Sequence, residues 1–178
     1  MGVVQLGGVH GVGKTTTIEQ AAPLCQKEVP VLKGSVIIAH ILGVSTEELP
    51  FVSPKEREIA RAAMFEELAT TTNGIRDGHY CVFTAGGGYE FPFNPRDRGV
   101  VDVAVLLVAS AETVLQRRQL IERERPKDLG LIQQHLELEQ TAGVHLAQQL
   151  DVPLIVIHNE DGDHAPKLLA EVLDDYLD

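Results

Sequence analysis

Gly8-Val9-His10-Gly11-Val12-Gly13-Lys14-Thr15 puts three glycines within six residues directly ahead of a lysine and a run of threonines. Glycine weakens ordinary helices and strands, so its concentration here needs a reason. Val3-Val4-Gln5-Leu6 before it reads as a short strand, and Thr16-Thr17-Ile18-Glu19-Gln20-Ala21-Ala22 after it reads as a helix. Strand, turn and helix with the spacing Gly-x-x-x-x-Gly-Lys-Thr form the pattern of a phosphate-binding loop, in which backbone N–H groups face phosphate oxygens and a Cβ would crowd them. On this reading Gly8, Val9, His10, Gly11, Val12 and Gly13 cradle the phosphates of ATP and Lys14 reaches the outer ones. The Thr15 hydroxyl sits on Mg²⁺, and Thr16 touches phosphate beside it. His10 fills a variable position and is expected to be an exposed loop residue first and a nucleotide contact second. The plainer alternative is a glycine-rich turn with a solvated lysine.

The rest of the composition narrows the class. A chain of 178 residues with 44% apolar content predicts a single domain over 1–178, in which 33–75 (acceptor-side helices) and 117–135 (a lid) are mobile subregions. Cys25 and Cys81 are far apart and lack metal-ligand spacing, so they read as reduced, buried thiols. Without a signal-type leader, a membrane-length apolar run or a myristoylation match, the expected location is cytoplasmic, with no membrane partner. A net charge of −11 argues against nucleic acid as a partner. Yet five of the fifteen basic residues, Arg117, Arg118, Arg123, Arg125 and Lys127, crowd into one short segment, which invites an anionic ligand.

Strands and helices alternate along the chain. The first helix is expected to run to about Lys27, followed by a poor strand at Val31-Leu32 and a short helix over 35–42 capped by Ser35. A long helix follows from Pro54 to about Thr72, capped by Ser53. Strands are predicted at 79–84, 100–108 and 153–157, and helices at 111–125, 129–150 and 166–177. This alternation predicts an α/β fold of the P-loop NTPase type: a doubly wound parallel sheet of five strands, helices on both faces and a short arginine-rich lid. Ligands then sit beyond the carboxyl ends of the strands.

On the Pro54 helix, Arg57, Arg61, Met64 and Leu68 share one stripe, which puts the arginines in a cleft; pairing of Arg57 with Glu56 or Glu58 is the alternative. Arginines 117 to 125 suit the spreading of phosphoryl charge, against the alternative of an exposed helix neutralised by Glu122 and Glu124. The expected strand 79–84 ends in Thr84-Ala85-Gly86 without a carboxylate, and Asp102 lies at the wrong end of its strand. Motor-type ATPases are thereby disfavoured. GTPases are too, because His158-Asn159-Glu160-Asp161 lacks the Asn-Lys-x-Asp base reader. A small kinase remains.

These residues together resemble the archaeal-type adenylate kinases among the P-loop nucleoside monophosphate kinases. The likeness consists of the 8–15 loop, Gly88-Tyr89-x-x-Pro92, Arg123-x-Arg125-x-x-Asp128, then Ile132, His135 and Ile157-His158-Asn159. It implies ATP on the loop and a lid closing through the catalytic Arg123 and Arg125, with Arg118 behind them and Lys14 as the remaining catalytic cation. It places Asn159 beside the adenine and the acceptor near Arg57, Arg61, Gly88 and Tyr89. Members can be trimeric, so a homo-oligomer is a possible assembly. The family carries Asp-x-His after its third strand, and this chain departs from that by presenting Thr84-Ala85-Gly86. The expected activity is transfer of the γ-phosphoryl group of ATP to AMP or a related monophosphate. The rivals are a kinase of a nucleoside or other hydroxyl metabolite, for which Glu90 or Asp97 is the candidate base, and an ATP-binding switch or assembly factor with slow ATPase.

Overall fold

A computed structural model describes residues 2–83, 88–91, 94–120, 126–162 and 164–178. Its main sheet comprises β1 (Gly2–Gly7), β2 (Val31–Lys33), β3 (Asn73–Asp77), β6 (Val103–Val108) and β7 (Leu154–His158), in the order β2-β3-β1-β6-β7. All four pairings are parallel. A separate antiparallel pair joins β4 (Val82–Phe83) to β5 (Tyr89–Glu90). The helices are α1 (Lys14–Ala21), α2 (Gly34–Leu42), α3 (Pro54–Ala69), α4 (Ala111–Gln119), α5 (Leu129–Leu150) and α6 (Ala165–Tyr176). This is the α/β architecture the alternation predicts, with five parallel strands flanked by helices.

The apolar run of β6 is explained by burial on both faces. Val103, Val105 and Leu107 point into a cluster with Ile18 and Ala21 of α1 and Leu169 and Leu173 of α6. Ala104 and Leu106 point into a second cluster with Ala142, Leu146 and Leu150 of α5. β1 divides likewise, Val4 and Leu6 to the first cluster and Val3 to the second. Each fully buried Leu or Val contributes about 1.5–3 kcal/mol, so the two central strands anchor the sheet at whose carboxyl ends the candidate site lies.

Local chemistry fixes several boundaries. Ser53 caps α3 in a reciprocal capping box with Glu56, and Pro54 occupies the first turn, as expected. Asp128 caps α5 by accepting the Leu131 N–H at 2.9 Å. Ser35 caps nothing: α2 begins one residue earlier, with Lys33 at the cap position and no side-chain bond there. The first helix is shorter than expected, because Pro23 sits in a 3₁₀ turn over Ala22–Leu24.

The largest correction concerns the third strand of the sheet. It is Asn73–Asp77, not 79–84; of the latter stretch the structure describes 79–83, and only Val82 and Phe83 are extended, in the small antiparallel pair. The Arg76 side chain in the middle of β3 is 2% exposed, bonds Asp97 Oδ1 at 2.8 Å and donates to the Leu68 carbonyl. That pairing makes a strand interior of a stretch whose sequence reads as polar.

Candidate active site at the carboxyl ends of the central strands

The loop between β1 and α1 leaves the sheet at Gly8 and re-enters helix at Lys14, with Gly13 as the left-handed cap residue at φ 101°. A Cβ on Gly13 would stand 2.5 Å from Asn159 Nδ2, so glycine is required by both backbone and neighbour. Lys14 Nζ donates to the Gly8 carbonyl and lies 3.4 Å from His79 Nδ1. Thr15 and Thr16 are exposed in the first turn of α1, while Thr17 is turned inward and donates to the Gly13 carbonyl at 3.0 Å. Left-handed glycines at 8, 11 and 13 beside a helix N-terminus are the backbone a phosphate cradle requires, and an exposed Thr15 hydroxyl fits a Mg²⁺ ligand. Val9 and Val12 are buried and face the core, so they enter the loop through their backbone.

Around this loop stand Arg117 and Arg118 from the last turn of α4 and Asn159 from just past the end of β7. Arg117 donates from Nη1 to the Val12 carbonyl at 2.9 Å, and from Nη2 to the Asn159 carbonyl at 2.9 Å and to Asp161 at 3.1 Å. Asn159 Nδ2 donates to the Val12 carbonyl at 2.8 Å, so this side chain is built into the wall of the loop. Arg118 is 3% exposed and bonds the carbonyls of His10 and Pro126, each at 2.9 Å. It therefore joins the loop to the start of the segment before α5. Arg123 and Arg125 lie outside the described residues. His10 corrects the expectation of an exposed loop residue: it is partly buried, its ring 4.1 Å from that of His79.

The relocation of the third strand brings in a residue that sequence reading missed. Asp77 ends β3 opposite Leu6 of β1, so a carboxylate does stand at the end of the strand beside the loop. Burial raises its carboxyl above the usual range, and the charges of Lys14 and Lys33 pull it the other way. Gly78 and His79 follow, so Asp77-Gly78-His79 stands at the carboxyl end of the third strand. His79 Nδ1 meets the Gly8 carbonyl at 2.7 Å; burial first, then Lys14 and His10, hold its pKa well below the ordinary histidine value. The signal was present as Asp77-Gly78-His79, but the apolar look of 79–84 drew the strand past it.

Glu139 of α5 was also missed. It is 1% exposed and accepts the N–H groups of Gly8, Tyr80 and Cys81. Burial raises its carboxyl pKa, and these three bonds with the charge of Lys14 oppose that rise.

On the side expected to receive an acceptor, Met64 and Leu68 are buried as the shared stripe requires. Arg61 pairs with Glu90 at 2.8 Å, which draws α3 against β5 and so beside Tyr89 and Gly88. Arg57 Nε is buried without a hydrogen-bond partner among the described residues. Tyr89 packs against His135, ring centres 5.8 Å apart. Of the two carboxylates expected as candidate bases, Glu90 is held by Arg61, and Asp97 is 8% exposed and held by Arg76 at 2.8 Å. Among the described residues no helix is long and apolar enough to cross a membrane.

Solved structures share this architecture. A shikimate kinase from Bacteroides thetaiotaomicron superposes with a TM-score of 0.66 at 17% identity, covering 97% of this chain and 98% of its own. The YorR protein of Bacillus subtilis, in complex with phosphorylated GDP, gives 0.60 at 16% identity over 96% and 92%. A gluconokinase from Sinorhizobium meliloti 1021 gives 0.52 at 18% identity over 97% and 89%. At these identities the likeness is one of fold, that of P-loop kinases. No curated protein matches the chain. The model of the AAA domain family AAA_17 matches residues 7–131, from the end of β1 into α5, and the chain belongs to that family.

Proposed function

We propose that the protein is an ATP-dependent small-molecule kinase that transfers the γ-phosphoryl group of ATP to a nucleoside monophosphate, AMP first among them. The observation that supports this reading is Asp77-Gly78-His79 at the end of the strand beside the Gly8–Thr15 loop, in keeping with the adenylate kinase-like resemblance. The loop N–H groups and Lys14 hold the phosphates of ATP. Arg57 and Arg61, with Gly88 and Tyr89, receive the acceptor, and Arg118, Arg123 and Arg125 supply charge from the other side. Thr15 would hold Mg²⁺, which when bound neutralises charge developing on the phosphates. A phosphate acceptor is already anionic, so positioning and charge neutralisation suffice and no general base is needed.

A second reading is favoured by Asp77 itself. A carboxylate at this strand end, with its pKa raised by burial, is suited to take the proton of an alcohol. That would make the acceptor a small hydroxyl metabolite, the acceptor class of the shikimate kinase and gluconokinase neighbours.

The test is ADP formation from ATP and Mg²⁺ over an acceptor panel of nucleoside monophosphates, nucleosides and hydroxy acids. Stimulation by monophosphates alone supports the first reading. Stimulation by an uncharged alcohol or hydroxy acid replaces it with the second, and the absence of any stimulation removes both.

A further inference from the structure

Gly8 is gripped on both sides of its backbone. Its carbonyl accepts from Lys14 and from His79 Nδ1, and its N–H donates to Glu139 Oε1 at 2.7 Å. The same Oε1 accepts the Tyr80 N–H at 2.8 Å, and Oε2 accepts the Cys81 N–H at 2.7 Å. One buried carboxylate thus ties the first residue of the loop to the segment directly after Asp77-Gly78-His79. Tyr80 and Cys81 lie past the end of β3, where the sheet provides no neighbour for their N–H groups, and a side chain takes the neighbour's place. Charge-assisted bonds of this kind are roughly twice as strong as neutral ones. The segment is braced further by the Tyr80 hydroxyl, whose oxygen lies 2.6 Å from the Gln5 carbonyl and 2.8 Å from that of Val105 and whose single proton is donated between them. The Tyr80 ring occupies the space a Cβ on Gly7 would need, 2.3 Å away.

The donor atoms of Cys81, His135 and Glu139 lie within 4.8 Å of one another, a grouping that also suits a metal. Both Glu139 oxygens are engaged by N–H donors, however, and burial with the Glu139 charge pushes the Cys81 thiol up to about 11. The cluster therefore serves the backbone.

We propose that Glu139 is a positioning residue that couples the nucleotide loop to the acceptor-side segment: by bridging Gly8 to Tyr80 and Cys81, it transmits occupancy of the loop to residues 77–81. The coupling rests on the reading that Gly8–Thr15 holds the nucleotide, and it is independent of which acceptor is used. In Glu139→Gln one accepting oxygen becomes an NH₂ donor, so whichever way the amide turns at least one of the three N–H groups loses its partner. Glu139→Asp keeps the charge on a side chain one methylene shorter.

The test is residue-resolved amide hydrogen exchange on the full chain, with and without a saturating non-hydrolysable ATP analogue and Mg²⁺. In the wild type the analogue should slow exchange at Tyr80 and Cys81 by about tenfold, and in Glu139→Gln by less than about twofold at one or both of them, while Val105 and Leu107 of β6 keep wild-type protection. Equal protection of Tyr80 and Cys81 in both proteins, or none in a wild type that binds the analogue, overturns the coupling and leaves the proposed function standing. Loss of protection throughout β6 in both Glu139→Gln and Glu139→Asp makes Glu139 a stability element and also overturns it. Failure of the wild type to bind the analogue removes the proposed function and the coupling together. Bound analogue with intact coupling, but no turnover on any acceptor, removes the kinase reading and supports the coupling.

Discussion

The two halves of the candidate site are built by opposite strategies. The phosphate side is one stretch, Gly8 to Thr15, whose parts meet because they are neighbours in the chain, and its partners Arg117, Arg118 and Asn159 mostly grip its carbonyls. The side proposed to receive the acceptor is assembled from α3, the end of β3, β5 and α5, which meet because the chain crosses the sheet between them. A contiguous motif tolerates little change but announces itself. An assembled site is invisible until the topology is known.

The sharpest way to break this contrast is Lys14→Ala. Lys14 is 8% exposed and bonded to the Gly8 carbonyl, and on the proposed function it holds the negative charge of the phosphates. Removing such a preorganised cation should reduce turnover by about 10²–10³-fold, with far-UV circular dichroism and the melting profile close to wild type. Near-normal turnover would take the loop out of the mechanism and leave the acceptor side as the functional half.

Asp77→Asn sharpens the comparison next, because it asks what the assembled half contributes. If the acceptor is an alcohol, loss of the base should reduce kcat by about 10²–10⁴-fold. The wild-type rate should then fall as pH drops below a carboxyl pKa that burial has raised above the usual range. If the acceptor is a monophosphate, no proton needs removing, and the loss should appear in the acceptor KM with kcat reduced by about tenfold or less. Steady-state kinetics of the variant against pH distinguish the two.

How much of this was legible follows from the same contrast. The β1–loop–α1 unit could be read from spacing alone, and so could β6, whose unbroken apolar run has only one comfortable place in a parallel sheet. β3 could not. Asn73-Gly74-Ile75-Arg76-Asp77 carries a single strong strand former, and Arg76 becomes a core residue only because Asp97 arrives to neutralise it. Tyr80 and Cys81 look like strand interior and are buried, yet their N–H groups satisfy Glu139. Hydrophobic pattern reports burial, and here burial did not mean strand. Once β3 was misplaced, Asp77 and His79 were misplaced with it.

His79 offers a thermodynamic test of how tightly the halves are joined. Burial first, then the charge of Lys14, holds its folded pKa well below the ordinary histidine value of about 6.5, so the unfolded chain gains a proton below that pH and the folded protein does not. Stability should therefore fall as pH drops below 6.5, by about 1.4 kcal/mol per pH unit for this proton. His135, also lowered, acts in the same direction, whereas Asp77 and Glu139, both raised, act in the opposite one. His79→Asn removes one titration from this set while its amide can still donate to the Gly8 carbonyl. Chemical denaturation at several pH values should give the variant the shallower acid limb; identical limbs would mean that His79 is not held neutral against the loop.

The smallest effect belongs to Glu90→Gln, and it bears on the acceptor side alone. Arg61 and Glu90 are 38% and 52% exposed, so their ion pair is worth between zero and about 1 kcal/mol. The melting temperature should therefore shift by no more than about 4 °C for a chain of this size. Binding should report more than stability does, because on the proposed function the Arg61 guanidinium is shared between Glu90 and an anionic acceptor. With the carboxylate gone, the KM for a monophosphate should fall by about threefold at low ionic strength, and the gain should vanish in high salt. An uncharged hydroxyl acceptor should show no change. A rise in KM would instead assign Glu90 to the acceptor directly, and Arg61 would become the residue that holds it in place.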